Sequence, residues 1–475
     1  MSTIVIKQMM ADSGVAFGTS GARGLVSQMN DRVCAAYTLA FLAHAAGVET
    51  GPIALGMDLR PSSPDIARAC AAAIILAGRE VDFLGVLPTP ALALHALTQG
   101  RPAIMITGSH IPFDRNGIKF YRADGEISKA DETAIAEAVI ELDDAFTPLE
   151  TLPATNLNAL QAYIDRYTRL FSPDLLSGQR IGVYEHSSAA RDCLSQVLTA
   201  LGAEVVAFGR TDTFVPIDTE AVSQEDQQRG LDWAREYQLD AIISTDGDGD
   251  RPLLGDEHGV WLRGDLVGLL CAKFLGAETV VAPISCNTAI EASGWFNQVI
   301  RTRIGSPFVI AAMQQAQGAV AGFEANGGFL AGSGLGVNGS PLAPLPTRDS
   351  LLPALALLAL AKQQEQPLSA LAAALPQRYT ASDRLQNFPT AASAALLQEL
   401  RAESGRQALW GEELGKLESV NDLDGLRLTF SNGEIVHLRP SGNAPELRCY
   451  AEADSQQRAQ RLVALTLEKI ARTAN

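Results

Sequence analysis

The sequence has few cysteines, no excess of basic residues and no long apolar run. Its six cysteines are scattered over 475 residues without a C-x-x-C pair, which indicates reduced, buried thiols rather than a disulfide framework. The net charge of −17 repels nucleic acid and anionic membranes, so we expect neither as a partner. The richest apolar run, residues 351–361, is shorter than the ~20 residues that span a bilayer. The first residues lack the basic and apolar segments of a secretory signal, and we therefore expect a soluble, cytoplasmic protein.

Two common catalytic motifs are also missing. No G-x-S-x-G stretch and no G-x-x-x-x-G-K-[ST] stretch occurs, which disfavours a serine hydrolase and a P-loop enzyme. Hydrophobic residues make up 47% of the chain and charged residues 19%, a globular balance, and the length predicts about three or four domains. An acidic surface does not attract phosphorylated substrates at long range. Any phosphate site must therefore be a local concentration of arginine, lysine and backbone N–H groups.

Strand-like and helix-like stretches alternate along most of the chain. Short apolar runs that end in polar loops are typical of buried strands, as at residues 103–107, 180–184 and 240–244. Alanine-rich segments at residues 65–77 and 131–142 favour helices, and this alternation predicts α/β domains. The last ~100 residues favour a separate α+β unit. Its expected strands are residues 426–430, 435–439 and 447–452, before a helix at 455–473.

A weak internal repeat runs through the chain. Residues 78–85, 202–209 and 298–305 each follow the order helix, glycine turn and strand, which predicts three similar α/β units. Chance similarity between unrelated α/β segments would produce the same pattern. Polar stretches at 143–158, 363–367 and 387–390 are the expected linkers.

The most informative segment is D-G-D-G-D-R, directly after a strand-like run. Two like charges ~4 Å apart cost about 4 kcal/mol at an effective dielectric of ~20, so the convergence of Asp246, Asp248 and Asp250 requires a cation. Oxygen ligands favour Mg²⁺, Mn²⁺ or Ca²⁺. An EF-hand would need glycine at the sixth position, where Arg251 stands. A phosphatase with Asp246 as nucleophile and a solvated acidic turn remain alternatives.

A serine at a strand end is the second candidate. Ser109 lies beside His110, and Lys119 follows ten residues later, which is a plausible setting for a nucleophile. A serine before His-x-Pro is also typical of a turn or a helix cap.

The third candidate is a turn flanked by arginines near the C-terminus. Guanidinium groups bind phosphate bidentately and turn N–H groups add donors, so the segment favours a phosphate cradle. A hairpin turn with surface arginines is the alternative. The residues are Arg439, Ser441, Gly442, Asn443 and Arg448.

Two glycine-rich loops complete the set. Residues 17–24 contain Arg23, and the glycines there imply close backbone approach to another group. Residues 322–328 contain Glu324 and Asn326, which could present hydrogen-bonding groups to sugar hydroxyls, although a plain loop fits equally well.

Together and in this order along the chain, the five segments resemble the α-D-phosphohexomutase superfamily, and within it the phosphomannomutase/phosphoglucomutase group. The resemblance implies an α/β fold of three similar α/β domains with mixed sheets. A smaller C-terminal α+β domain resembling the TATA-binding protein would follow, with the active site in the central cleft. The expected boundaries are 1–150, 151–257, 258–372 and 373–475.

The resemblance also implies roles for the named residues. Ser109 would carry a phosphoryl group, and one Mg²⁺ would be held by Asp246, Asp248, Asp250 and an oxygen of that phosphoserine. The residues implied beside the transferring group, for proton transfer or charge stabilisation, are His110, Lys119, Arg23 and Arg251. Glu324 and Asn326 would bind sugar hydroxyls. The phosphate that is not transferring would be held by Arg439, Ser441, Gly442, Asn443 and Arg448.

The implied reaction interconverts hexose 1-phosphate and hexose 6-phosphate, with mannose first and glucose second among the expected sugars. A hexose 1,6-bisphosphate would serve as intermediate and activator, and we expect a monomer or weak homodimer. A phosphatase and a non-catalytic sugar-phosphate or calcium-binding module are the rival functions. Two departures from the family pattern stand out. Gly108 replaces a common alanine, and Ser306 stands where some relatives have a histidine that touches the sugar.

Overall fold

A computed structural model of the chain describes residues 2–18, 21–47, 51–440 and 446–473. Three mixed α/β units and a C-terminal antiparallel unit follow one another along the chain. This arrangement confirms the predicted α/β fold.

The first unit has a main sheet in the order β2-β3-β7-β6-β4-β5, with β8 paired to β7 and a separate β1-β9 pair. The segment at 131–142 was expected to be one helix, and this is wrong. The helix ends at Glu137, and residues 139–142 form a strand because they pair with the first strand of the chain. The elements are β1 (Ser2–Val5), α1 (Ile6–Ser13), β2 (Ala16–Phe17), β3 (Ala22–Leu25), α2 (Asp31–His44), β4 (Ile53–Met57), α3 (Ser63–Leu76), β5 (Val81–Val86), α4 (Thr89–Gln99), β6 (Ala103–Ile106), β7 (Arg115–Arg122), β8 (Gly125–Glu126), α5 (Lys129–Glu137) and β9 (Val139–Leu142).

The second and third units have sheets in the orders β11-β10-β12-β13 and β15-β14-β16-β17-β20. The second unit consists of α6 (Asn158–Leu170), β10 (Arg180–Tyr184), α7 (Arg191–Ala200), β11 (Glu204–Phe208), α8 (Gln224–Tyr237), β12 (Ala241–Thr245) and β13 (Pro252–Gly255). The third consists of α9 (Gly264–Phe274), β14 (Thr279–Pro283), α10 (Ala289–Ala292), β15 (Gln298–Thr302), α11 (Ser306–Met313), β16 (Val320–Phe323), β17 (Phe329–Ala331), β18 (Gly336–Val337), β19 (Ser340–Pro341), β20 (Leu345–Asp349), α12 (Leu351–Gln364) and α13 (Leu368–Ala373).

Capping side chains and glycines set where several helices begin and end. Asn30 and Ser128 accept backbone N–H groups at the starts of α2 and α5, and Ser223 does so for α8. Gly14 and Gly100 end α1 and α4 in the left-handed conformation, which costs glycine nothing sterically.

The three units repeat one topology. In each, a central strand pairs in parallel with the strands on both sides, and an antiparallel strand follows; the central strands are β4, β10 and β14. The antiparallel partners are β7, β13 and β17. The weak sequence repeat falls on the equivalent outer strands β5, β11 and β15. The prediction of three similar units is therefore confirmed.

The C-terminal unit is built differently. Its sheet, in the order β21-β25-β24-β23-β22, is antiparallel throughout and encloses a core of its own. By contrast, one continuous apolar core joins the three α/β units. The elements are β21 (Tyr379–Gln386), α14 (Thr390–Leu400), α15 (Glu403–Trp410), β22 (Leu417–Asn421), β23 (Leu426–Phe430), β24 (Ile435–Pro440), β25 (Glu446–Ala453) and α16 (Gln456–Thr473).

Two further expectations concern the whole chain. All six cysteines are buried and unpaired, as their scattered positions predicted. Within the described ranges, the structure contains no helix with the length and apolar character needed to cross a membrane.

Candidate active site

The same loop of each α/β unit contributes to one cluster of side chains. The loops connect β6 to β7, β12 to β13 and β16 to β17, and we call them the serine loop (residues 107–115), the aspartate loop (246–251) and the glutamate loop (324–328). Each loop leaves the carboxyl end of a parallel strand, which is where open α/β sheets bind ligands. The structural repeat thus explains why motifs more than 200 residues apart in the chain meet.

Ser109 is buried and held in an uncommon backbone conformation. Its φ is +54°, a left-handed value that few residues other than glycine adopt and that tends to persist at functional positions. Its N–H donates to Thr107 Oγ1 at 2.8 Å. Its Oγ donates to Asp246 Oδ2 at 2.6 Å and lies 3.3 Å from His110 Nδ1.

The aspartate loop places three buried carboxylates together. Asp246, Asp248 and Asp250 each offer an oxygen within 4.8 Å of the others. Asp248 Oδ1 and Asp250 Oδ1 are buried without a hydrogen-bond partner, which costs free energy unless another group satisfies them. Mg²⁺ prefers such oxygen ligands, so the residues present fit a hard divalent cation.

All three α/β units hold the backbone of the aspartate loop. Thr89 N–H of the first unit donates to Asp248 O at 2.9 Å, and Ala189 N–H of the second donates to Gly247 O at 2.9 Å. Ser350 Oγ of the third donates to Gly249 O at 2.7 Å. The loop is therefore fixed before any ligand arrives.

Cations balance the carboxylates of the cluster. Lys119 Nζ bridges Asp248 Oδ2 at 2.6 Å and Asp250 Oδ2 at 2.9 Å. Arg251 Nη1 donates to His110 Nδ1 at 2.5 Å. The cluster holds four carboxylates and four cations, namely Asp246, Asp248, Asp250 and Glu324 against Arg23, Lys119, Arg251 and Arg348.

The aspartates differ in how folding affects their charge. Burial and the neighbouring carboxylates of Asp248 and Asp250 raise the pKa of Asp246 well above its usual value. Burial also opposes ionisation of Asp248, but the Lys119 ammonium outweighs it and lowers that pKa. The fold thus stabilises the charge on Asp248 and destabilises the charge on Asp246.

The basic residues respond to the same environment. Burial, followed by the charges of Arg251 and Arg23, lowers the pKa of His110 well below its usual value. Burial lowers the pKa of Arg23 to about 10, and Arg251 and Arg348 add to the effect. For Lys119, burial is outweighed by two aspartates, and the pKa rises. His110 is therefore neutral near pH 7, whereas Lys119 is charged.

Arg348 is a member of the cluster that the sequence did not indicate. It follows from β20 and donates through Nε to Glu324 Oε2 at 2.5 Å and through Nη1 to Asp250 Oδ2 at 3.1 Å. A Cβ on Gly328 would lie 2.5 Å from Arg348 Cδ, so this glycine makes room for the arginine. Arg348 thereby links the glutamate loop to the aspartate loop.

Asn326 and Ser306 are engaged elsewhere. Asn326 Oδ1 accepts the N–H of Gly328 at 3.0 Å, which stabilises the glutamate loop itself. Ser306, at the position where relatives can have a histidine, is buried and donates to Glu126 Oε2 at 3.1 Å. That contact joins the third unit to the first.

The arginines of the C-terminal unit form a row across three strands. Arg439 lies directly opposite Arg448, and Arg448 lies opposite Arg384 on the next strand. Like charges in register repel, which favours an anion beside them. Arg439 Nε donates to Asp424 Oδ2 at 2.8 Å, whereas Arg448 Nε is buried without a partner. The predicted residues Ser441, Gly442 and Asn443 lie outside the described residues.

Glu220 is another residue that no sequence motif indicated. Its N–H donates to Asp218 Oδ1 at 3.0 Å, and the preceding Thr219 donates from Oγ1 to Asn326 O at 2.7 Å. Burial and the charge of Asp218 raise the pKa of Glu220 to about 6, while Arg263, Arg448 and Arg251 act in the opposite direction. A carboxyl group thus lies among the arginines between the two parts of the site.

Comparison with known proteins agrees with this arrangement. Phosphoglucomutase/phosphomannomutase family models match at residues 14–145 (alpha/beta/alpha domain I), 263–379 (alpha/beta/alpha domain III) and 383–469 (C-terminal domain). A phosphomannomutase of Salmonella muenchen is 50% identical over 465 residues, 96% of each chain. A phosphomannomutase of Sinorhizobium fredii is 47% identical over 464 residues, 95% of this chain and 98% of the relative.

Solved structures share the fold. A Thermus thermophilus protein described as a phosphomannomutase aligns with a TM-score of 0.74 at 22% identity, over 97% of this chain and 99% of its own. Fold, site and relatives together define an intramolecular phosphotransferase, a phosphohexomutase of the isomerase class. The chain belongs to the phosphoglucomutase/phosphomannomutase family, in its mannomutase group.

Proposed function

We propose that the chain interconverts mannose 1-phosphate and mannose 6-phosphate, and the glucose pair less readily, through phosphorylated Ser109 and a hexose 1,6-bisphosphate. The observation that carries the proposal is the buried contact of 2.6 Å between Ser109 Oγ and Asp246 Oδ2, within three clustered carboxylates. A phosphoryl group on Ser109 would lie directly against a cation bound by those carboxylates.

Each half-reaction exchanges one phosphorus–oxygen bond for another. A hydroxyl oxygen of the bound hexose phosphate forms a bond to phosphorus as the bond between phosphorus and Ser109 Oγ breaks. The hydroxyl gives up its proton, and Ser109 Oγ takes one up when it leaves. Reversal with the other phosphoryl group of the bisphosphate restores phosphoserine, so atoms and charge balance over the cycle.

The residues near Ser109 supply charge stabilisation and proton transfer, on which phosphoryl transfer mainly depends. Lys119 lies between Asp248 and Asp250, and His110 lies 3.3 Å from Ser109 Oγ. Arg23 and Arg251 add positive charge that the acidic surface of the protein does not provide.

Asp246, Asp248, Asp250 and a phosphoserine oxygen would hold Mg²⁺. When bound, the ion withdraws electron density from the transferring phosphoryl group and so supports its departure from oxygen. The unpartnered Oδ1 atoms of Asp248 and Asp250 favour this assignment.

Sugar and phosphate would be bound by the remaining predicted residues. Glu324 and Asn326 are assigned to the sugar hydroxyls. The phosphate that is not transferring is assigned to the arginine row of the C-terminal unit and to Ser441, Gly442 and Asn443. The bisphosphate must turn around between the half-reactions, so both groups of residues must accept two orientations of the ligand.

The preference for mannose rests on the relatives. Those named phosphomannomutase are 50% and 47% identical to this chain, whereas phosphoglucosamine mutases such as that of Geobacillus kaustophilus are 28% identical.

Phosphorus NMR tests the proposal directly. The purified protein is mixed with mannose 1-phosphate, Mg²⁺ and a trace of glucose 1,6-bisphosphate, with glucose 1-phosphate in a parallel sample. We expect conversion to the 6-phosphate, faster for mannose, and no conversion by Ser109→Ala. Release of inorganic phosphate that survives this substitution would refute the mutase mechanism and identify Asp246 as the nucleophile of a phosphatase.

A further inference from the structure

The serine loop is supported by a buried arginine from outside the known motifs. The side chain of Arg60, just after β4, is 0% exposed. Its Nη1 donates to the carbonyls of Pro112 and Arg115 at 2.8 and 2.9 Å. Its Nη2 donates to the carbonyls of Ser109 and Ile111 at 2.9 and 2.5 Å. Four carbonyl groups of one loop thus converge on one planar guanidinium group.

The position of this guanidinium is itself fixed. Arg60 Nε lies 3.3 Å from Asp58 Oδ2, and the Asp58 side chain is also fully buried. Asp58 Oδ1 accepts the N–H of Arg60 at 3.0 Å and the hydroxyl of Ser63 at 2.6 Å. Because the counter-ion cannot rotate freely, the donors of Arg60 point in set directions.

A ring from the second α/β unit covers the arginine. Arg60 Cζ lies 4.0 Å from the centre of the Phe214 ring, within cation–π distance. A Cβ on Gly247 of the aspartate loop would lie 2.8 Å from Ser109 O and 3.0 Å from the Phe214 ring. The arginine, the ring and the two catalytic loops are therefore in close contact across the boundary between two units.

The same packing explains a departure from the family pattern. A Cβ on Gly108 would lie 2.6 Å from Arg60 Cζ, so the alanine that is common at this position does not fit here without movement of the arginine. The residue before Ser109 is thus matched to the arginine beneath it.

We propose that Arg60 and Phe214 are a positioning pair that fixes the serine loop and holds it in register with the aspartate loop. This inference rests on the proposed function of Ser109. Neither side chain contacts the glutamate loop or the arginine row in the described residues. The pair therefore acts on phosphoryl transfer to and from Ser109 and leaves binding of the sugar phosphate unchanged.

Three variants test the pair. Arg60→Lys keeps the charge but cannot contact four carbonyls, and Phe214→Met keeps the bulk but removes the ring. Arg79→Lys is the matched control, because Arg79 donates to the Gly51 carbonyl at the opposite end of the same sheet. Glucose 1,6-bisphosphate is mixed with each dephosphorylated protein and Mg²⁺, and intact mass follows phosphorylation of Ser109 in a single turnover. Steady-state kcat and KM for mannose 1-phosphate are measured in parallel.

We expect slower phosphorylation and lower kcat, by about 100-fold for Arg60→Lys and about tenfold for Phe214→Met, because small displacements of a reacting group are costly. KM should stay within about twofold, since the binding groups are untouched. Arg79→Lys should match the wild type in every rate.

Wild-type rates in Arg60→Lys, or in Phe214→Met should Arg60→Lys not fold, would overturn the inference. An equal rise in KM would also overturn it, since the pair would then support substrate binding. Absence of turnover by the wild type would instead reject the proposed function, which separates the two failures.

Discussion

The two ends of the site handle charge in opposite ways. At the transfer end, the loops of three α/β units bury carboxylates and cations together, with contacts of 2.6 and 2.9 Å from Lys119 and 3.1 Å from Arg348. At the other end, Arg384, Arg439 and Arg448 lie in one row on the C-terminal sheet, and the Arg384 side chain is 47% exposed. The first end is neutral by itself, and the second carries positive charge that exceeds its partners.

The difference shows which half of the reaction each end serves. Paired charges in a buried, fixed cluster need little rearrangement when the transition state forms, which suits chemistry. An exposed arginine row stays hydrated and can exchange one phosphate group for another, which suits a ligand that must turn around. The four predictions that follow test this contrast.

The largest expected effect is on stability at the transfer end. Arg348→Met leaves Glu324 without its buried partner and removes one partner of Asp250. We expect the free energy of unfolding to fall by about 3–5 kcal/mol, as measured by urea denaturation. Arg384→Met is the control at the exposed end and should change it by less than about 1 kcal/mol. Equal losses would mean that the two ends do not differ.

The next prediction concerns two neighbouring aspartates with opposite signs. Asp248→Asn removes a charge that the fold stabilises, so in EDTA it should lower the unfolding free energy by about 3 kcal/mol. Asp246→Asn removes a charge that the fold opposes and keeps an acceptor for Ser109, so it should raise the melting temperature. A change of the same sign in both variants would contradict the charge balance inferred for the cluster.

A smaller effect is expected at the arginine row. Arg384→Gln should raise KM for mannose 1-phosphate about fivefold, or about 1 kcal/mol, and the rise should shrink in 0.5–1 M salt, roughly the range in which screening is short. The value of kcat should stay the same, because the row does not touch Ser109. Arg472→Gln, an exposed arginine on α16, serves as the control. An unchanged KM would remove Arg384 from the phosphate site.

The smallest effect is a pH dependence at Glu220. Above its pKa of about 6, the carboxylate puts negative charge beside Arg263 and Arg448 and should weaken phosphate binding. The ratio of wild-type KM to that of Glu220→Gln should therefore rise about threefold from pH 5 to pH 7, the size expected for a partly exposed charge pair. Titration of the substrate phosphate is common to both proteins and cancels. Glu225→Gln, exposed on α8, should show a flat ratio, and a flat ratio for Glu220→Gln would exclude the effect.

Much of this arrangement could be predicted from local sequence. Residues 180–184 and 426–430 coincide with β10 and β23, because short apolar runs between polar turns leave the chain few alternatives. The aspartates of the aspartate loop were predicted because their spacing alone demands a cation. Ser109 needed the other motifs, since a serine at a strand end is common.

The rest depends on contacts that local patterns do not encode. Residues 139–142 continue an alanine-rich helical pattern but form a strand, because Val139 pairs with Val5 more than 130 residues away. Arg60, Arg348 and Arg384 belong to no motif and acquire their partners only from strand register and unit packing. Such residues become visible only when the topology is known.

The equal number of acidic and basic groups around Ser109 has a thermodynamic consequence. A phosphoryl group on the serine adds close to two negative charges, and Mg²⁺ adds two positive ones, so the cluster returns to neutrality only when both are present. Each addition therefore raises the affinity for the other, and linkage requires the two effects to be equal in size. The affinity of the protein for magnesium should consequently report how much of it is phosphorylated, and a chelator should promote loss of the phosphoryl group.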